Sequence, residues 1–204
     1  MSARPFALVP AKGFAQSKSR LASVLNAAER EALSRGFLVH VLDVLQSCDA
    51  IGGRVVVTDS DAVEEVARRH GALVVRDEGT SLGAIVDAAL KSIGARSAIV
   101  FMSDLPELAP SDVHTLAGFL DERDVVVVPD LRGEGTNALA LASPQSFPTC
   151  FGHADSFTRH LERARSLGLR VGVHTSKRLG FDVDVPSDLA SLRKRSRASR
   201  VSAA

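Results

Sequence analysis

Short apolar runs rich in β-branched residues alternate with amphipathic stretches along almost the whole chain. FALVPA reads as a first strand, leaving into a basic loop. From Ala27 to Leu45, the residues Leu33, Phe37, Val41, Val44 and Leu45 fall on one helical stripe, the spacing of a face that packs on a core. RVVVTDS predicts a buried strand, Asp61 to Arg69 a helix and ALVVRDE another strand. Ser81 to Ile93 predicts a helix with Ser81 as its N-cap. SAIVFMSDLPEL reads as a central strand running into a sharp turn at Asp104-Leu105-Pro106, and a helix follows from Ser111 to Leu120. DVVVVPD and NALALAS are joined by LRGEGT, too short for a crossover helix, so this pair should be antiparallel. Helix Ser156 to Leu167, strand RVGVHTS, the segment GFDVDV and a closing helix after Pro186 complete the pattern.

Alternating β and α with one antiparallel excursion predicts a three-layer α/β/α sandwich around a mostly parallel, mixed sheet. Such sheets bind ligands outside the carboxyl ends of their strands, which is where candidate chemistry should be sought. The chain has 204 residues, enough for one α/β domain. That domain is expected over residues 1–192, with the basic run at 193–204 as a frayed, solvated tail.

Composition narrows the partners. The formal net charge is +1 and aromatics make up 4% without Trp or Tyr, so neither a global positive field nor stacking platforms favour nucleic acid. Cys48 and Cys150 lie far apart and lack C-x-x-C spacing, which argues against a disulfide scaffold or zinc ribbon. No run approaches the roughly 20 apolar residues of a membrane span, and the N-terminus lacks a leader pattern. A cytoplasmic protein without membrane or nucleic-acid partners is expected.

Five stretches can carry chemistry. In VPAKGFAQSKSRL, Gly13 is followed by four residues and then by Lys18-Ser19, so the second glycine of a P-loop is absent and Ser17 precedes the lysine. A serine adopts the required backbone poorly, which disfavours a nest of N–H groups. Lys12, Lys18 and Arg20 could instead hold a phosphorylated anion by side chains, and an ordinary solvated basic loop is the competing reading. Asp104 ends an otherwise apolar strand, either as a cap on the next turn or as a cation-bound carboxylate. Asp182 and Asp184, two apart in FDVD, share one face of an extended segment and repel unless a cation intervenes. With Asp104 they make a set of hard oxygen ligands suited to Mg²⁺; a solvated strand end is the alternative. In RGEGTNALAL, Thr136 and Asn137 follow two glycines, equally a ligand-facing loop or a hairpin turn. In FGHADSFTRH, Gly152 precedes a helix capped by Asp155 or Ser156 whose free N–H groups would form an anion pocket. His114, His153 and His160 show no zinc-ligand spacing with cysteine and read as surface residues or as supports for neighbouring groups.

Taken in order, the basic loop, SDLPEL, VVVVPDLRGEGTNALAL, FGHADSFTRH and FDVDVPSDL resemble the CofC/FbiD family of guanylyltransferases in coenzyme F420 biosynthesis. The resemblance runs to about Leu192 and implies a Rossmann-like sheet of the nucleotide-diphospho-sugar transferase type. It also implies transfer of GMP from GTP to 2-phospho-L-lactate, phosphoenolpyruvate or 3-phosphoglycerate. The family's opening, P-x-K followed by K-[ST]-R-L, matches Pro10, Lys12 and Lys18-Ser19-Arg20-Leu21. By the same resemblance Asp104, Asp182 and Asp184 hold Mg²⁺, while Thr136, Gly152 and Ser156 bind the acceptor acid, with Asn137 beside them. Three differences from the family pattern stand out: Gly83 where an Asn is usual, one extra residue in FGHADSF, and Gly13-Phe14 after the lysine. A homodimer and hand-off to the next transferase of the pathway are compatible with this reading.

Overall fold

The computed structural model describes residues 4–77, 79–94 and 96–202, with side chains as far as 195. Seven strands form one sheet: β1 (Phe6–Pro10), β2 (Gly53–Thr58), β3 (Leu73–Arg76), β4 (Ala98–Phe101), β5 (Val125–Pro129), β6 (Thr136–Leu141) and β7 (Val171–Val173). Their spatial order is β3-β2-β1-β4-β6-β5-β7. The helices are α1 (Ala27–Ser47), α2 (Asp61–Arg69), α3 (Leu82–Ser92), α4 (Pro110–Phe119), α5 (Ser156–Ser166) and α6 (Pro186–Ser202). No described helix is long and apolar enough to cross a membrane.

Both faces of the sheet are covered, which is why its strands read as continuous apolar runs. Ala7, Val9, Val56, Ile99, Phe101, Val126 and Val128 point to one face, against Leu38, Val41 and Leu45 of α1 and Val113 and Leu116 of α4. The alternate residues Leu8, Val57, Val100, Val127, Leu139 and Leu141 point to the other, against Val86 and Leu90 of α3 and Ala164 of α5. The period-2 alternation therefore feeds two cores. A third, smaller cluster joins Leu21, Leu25, Phe37, Phe181, Val183 and Leu189 beyond the strand ends.

β1 pairs in parallel with both β2 and β4, so the chain reverses its direction of travel across the sheet between β1 and β4. The crevice for a ligand opens at that switch point. The expected β5–β6 antiparallel pair is present. β6 also lies antiparallel against β4, inserted between β4 and β5. Because β6 runs against its neighbours, its first residues, Thr136 and Asn137, emerge at the same edge as the ends of β1 and β4.

Local signals place most boundaries. Asn26 accepts from the Glu29 amide while the Glu29 carboxylate accepts from the Asn26 N–H, a capping box at the start of α1. Ser81 caps α3 through the Ala84 amide at 3.3 Å, as expected. One strand is shorter than expected: β7 covers only Val171–Val173 of RVGVHTS, while the FDVD segment lies outside the sheet. α6 runs from Pro186 to Ser202, into the basic run; residues 203 and 204 lie outside the described residues.

Leu139 is fully buried at the middle of β6. Leu139→Ala is expected to cost about 2–5 kcal/mol through lost transfer energy and a residual cavity, read as a lower urea midpoint with unchanged m.

Candidate active site

The loop after β1 is built from two 3₁₀ turns, Phe14–Gln16 and Ser19–Leu21, with Lys18 between them in the left-handed region at φ 56°. It is anchored on both sides of Lys18. Phe14 enters the main core and stacks under Arg35, 4.6 Å from the ring centre, while Leu21 enters the third cluster beside Phe181 and Val183. No α-helix begins at Lys18, so the helix N-terminus that closes a P-loop is missing.

That anchoring sets Lys18 against the acidic residues. Its ammonium hydrogen-bonds Asp104 and, at 3.0 Å, Asp184 Oδ1. Burial alone would lower the Lys18 pKa, yet the charges of Asp104 and Asp184 outweigh it and hold it above the ordinary value. Arg20 is more exposed and reaches Asp184 at 3.7 Å. Lys12 stands exposed in the wall of the cleft and makes no ion pair among the described residues.

Asp104, Asp182 and Asp184 converge, with one carboxylate oxygen of each lying within 4.8 Å of the others. Asp104 is therefore not simply a turn cap. The FDVD segment alternates as its sequence requires, with Phe181 and Val183 buried and the two carboxylates on the opposite side. Asp188, at the third position of α6, accepts from the amides of Asp184 and Val185 at 3.0 Å each and from Arg132 at 2.8 and 2.9 Å. The turn before the segment is fixed by Arg178, which forks onto the buried Asp112 of α4 at 2.8 and 2.9 Å.

Asp182 carries the electrostatic consequence. Burial first, then the like charges of Asp104 and Asp184, push its pKa up to about 6. Lys18 compensates two carboxylates and leaves the third short of positive charge. A cluster of hard oxygen donors that repel one another and lack full compensation fits a divalent cation.

Two cavities meet over these carboxylates, sharing Leu82, Met102, Asp104 and Asp184. The first has an apolar wall of Pro10, Val57 and Ile85, with Lys12, Lys18 and Asp77 around it. The second is polar, with Arg20 and Arg132 facing Asp130, Glu134 and Asp182, and with Thr136, Gly152 and Ser156 in its wall. An apolar slot beside a cationic loop suits a nucleotide, and a polar pocket across the carboxylates suits a small anion.

A model of the family described as guanylyl transferase CofC-like matches residues 6–195. The chain belongs to that family. It is 35% identical over 190 residues to a phosphoenolpyruvate guanylyltransferase of Sphaerobacter thermophilus, covering 91% of each chain. Identity is 31% to a 2-phospho-L-lactate guanylyltransferase of Methanothermobacter thermautotrophicus, over 91% of this chain and 82% of that one. It is 32% to a 3-phospho-D-glycerate guanylyltransferase of Phenylobacterium zucineum, over 92% and 89%. A nucleotidyl transferase structure from Methanothermobacter thermautotrophicus superposes with a TM-score of 0.71 at 19% identity, covering 97% of this chain and all of that one. The Rossmann-like sheet of nucleotidyltransferases is thus the fold of this CofC-like chain.

Some expected site residues have other partners. Asn137 lines the second cavity, but its side-chain amide donates to the Leu179 carbonyl at 3.0 Å and its hydrogen bonding holds the Asp182 pKa down. It orients a carboxylate rather than presenting its amide to the cavity. The amides of Ser156 and Phe157 donate to the carbonyls of His153 and Glu134, so these two N–H groups at the start of α5 are already engaged. Asp155 pairs with Arg159 at 2.6 Å instead of capping the helix. His114 does lie beside Cys48, at 3.4 Å, but its ring nitrogens also contact the Pro110 carbonyl and Asp49.

Sequence reasoning missed Asp77, Asp188 and Ser34. Asp188 was legible as an acid two residues after a Pro that opens a helix. Ser34, on α1, borders the first cavity with a buried hydroxyl that has no hydrogen-bond partner among the described residues, and no sequence signal marks it.

Gly83 marks a close approach between α3 and the loop at 149–152. A Cβ at residue 83 would sit 3.1 Å from the Phe151 carbonyl oxygen and 3.5 Å from that of Thr149. The loop carrying Gly152 therefore lies directly on α3, tied there by the Thr149 amide to Asp87 at 2.9 Å. Gly83→Asn is expected to cost about 1–3 kcal/mol by overpacking, seen as a lower denaturant midpoint, and to weaken anion binding in the second cavity.

Protonation of Asp182 competes with a metal. Its raised pKa means that the metal-free site keeps a proton below about pH 6, and a ligating carboxylate must release it. Calorimetric titration with a divalent cation should show affinity that levels off above this pH and falls up to about tenfold per unit below it.

Proposed function

We propose that this chain transfers GMP from GTP to the phosphate of a small phosphorylated three-carbon carboxylic acid, releasing pyrophosphate, within coenzyme F420 biosynthesis. The observation that carries the reading is the convergence of Asp104, Asp182 and Asp184 opposite Lys18, where the two cavities meet. The relatives act on phosphoenolpyruvate, 2-phospho-L-lactate and 3-phospho-D-glycerate by their names, and all three are phosphorylated three-carbon acids.

In this reading the triphosphate lies along the first loop. Lys12, Lys18 and Arg20 offset its charge, and Lys18 turns from the carboxylates to the phosphates as substrate enters. Asp77, at the end of β3, is the acceptor that the N1–H and amino group of guanine require. Asp104, Asp182 and Asp184 would hold Mg²⁺. The ion, when bound, withdraws charge from the α-phosphate and favours departure of pyrophosphate.

The acceptor acid sits in the second cavity, near Thr136, Gly152 and Ser156. Its phosphate oxygen attacks the α-phosphorus, forming a new P–O–P link as the bond to the β-phosphate oxygen breaks. That oxygen is already ionised at neutral pH, so no general base is needed. The requirement is to bring two polyanions together, which is electrostatic and positional work. The product passes to the next transferase of the pathway.

The test is pyrophosphate release from GTP with each of the three acids, with products identified by mass spectrometry. One acid should yield a guanosine diphosphate conjugate, and Asp104→Asn should lower kcat by about a hundredfold or more while the protein stays folded. Tight GTP binding without release on any acid would instead indicate a non-catalytic nucleotide-binding module. Release only with a different phosphorylated acceptor would indicate another nucleotidyltransferase activity.

A further inference from the structure

His160 lies in the middle of α5 and is fully buried. Its imidazole packs between two rings, near-parallel to Phe147 at 6.1 Å and edge-on to Phe151 at 4.9 Å. Neither nitrogen is idle. The backbone amide of Cys150 donates to Nε2 at 2.8 Å. Nδ1 lies 3.0 Å from the hydroxyl of Thr136. Burial pushes the His160 pKa down to about 4, against the raising effect of the Ser156 carbonyl one turn earlier. The ring is therefore neutral at working pH and carries one proton.

These contacts fix where that proton is. A backbone amide can only donate, so Nε2 must accept, and the hydrogen resides on Nδ1. Nδ1–H then donates toward Thr136 Oγ1, with the Ser156 carbonyl taking a share. The Ser156 hydroxyl also donates to Thr136 Oγ1, at 3.3 Å. Thr136 Oγ1 thus lies within reach of both Nδ1 and the Ser156 hydroxyl, and Thr136 forms part of the wall of the second cavity.

We propose that His160 is a positioning residue that sets Thr136 as a hydroxyl donor aimed at the acceptor's anionic group and ties the loop carrying Gly152 to β6. The proposal rests on the reading that the second cavity takes the phosphorylated acid. The relay runs from the Cys150 amide through the imidazole to the Thr136 hydroxyl, so it couples loop position to donor direction. A protonated or wrongly tautomeric ring would face the Cys150 amide with a second donor and break the relay at its first link. The aromatic pair keeps the ring from flipping, which separates this arrangement from a buried histidine that merely fills space.

The experiment compares His160→Asn, His160→Leu, Thr136→Val and the His160→Leu/Thr136→Val pair, using the acid that the wild type accepts. The expected result is a rise of about tenfold in KM for the acid in His160→Leu and in Thr136→Val, as for one lost hydrogen bond to a charged group. KM for GTP should stay within about twofold, because the nucleotide slot is built from other elements. The double variant should be no worse than the poorer single one, since both remove the same donor. His160→Asn, which keeps a donor near the Nδ1 position, should recover part of the loss.

Multiplicative effects in the double variant, or an equal rise in KM for GTP and acid, would overturn the positioning role in favour of a structural one. Should His160→Leu fail to fold, nitrogen NMR of the wild-type ring decides: a proton on Nε2 overturns the proposal, and one on Nδ1 supports it. Wild-type protein that binds none of the acids by calorimetry would defeat the acceptor-site reading itself. Normal acid binding with an unchanged KM in both His160 variants would defeat only the role of His160.

Discussion

Three carboxylates held within 4.8 Å of one another cannot all stay ionised beside each other without positive charge among them. Everything functional in this chain is arranged around that constraint. Lys18 supplies the positive charge in the structure as it stands, contacting Asp104 and Asp184 and leaving Asp182 under-compensated. Apolar packing adds to these ion pairs in holding the partners together. Leu21 beside the lysine and Phe181 and Val183 beside the aspartates pack in one cluster with Phe37 and Leu189. Burial of those side chains offsets the repulsion that the carboxylates introduce.

Lys18 occupies oxygens of Asp104 and Asp184 that a divalent cation held by the three carboxylates would also need. The left-handed backbone of Lys18, at φ 56°, is a conformation that non-glycine residues adopt at a cost. It is tolerated here because Phe14 and Leu21 pin the loop on either side.

The sheet decides which side chains share the site. An antiparallel β6 between β4 and β5 sends the start of a strand to the edge where other strands end. Thr136 and Asn137 thereby come to face the turn after β4, and the second cavity forms alongside the first. The loop at 149–152 is brought onto α3 by a glycine contact at Gly83 and onto β6 through His160.

The order of elements, the antiparallel excursion and the two-faced burial were legible in the chain because hydrophobic periodicity is a local property. So was the pairing of Asp182 and Asp184 on one face, since a two-residue repeat in extended backbone admits no other arrangement. The near-P-loop was legible as a basic loop, and the missing glycine already argued for side-chain cations. Tertiary structure alone decided that Lys18 would meet Asp104 and Asp184, which lie 86 and 166 residues away. It also turned Asn137 toward Asp182, filled the start of α5 with carbonyls, and buried His160 between two phenylalanines. These outcomes depend on which groups a given donor finds nearest once the layers close, and no spacing along the chain encodes a distance across the core.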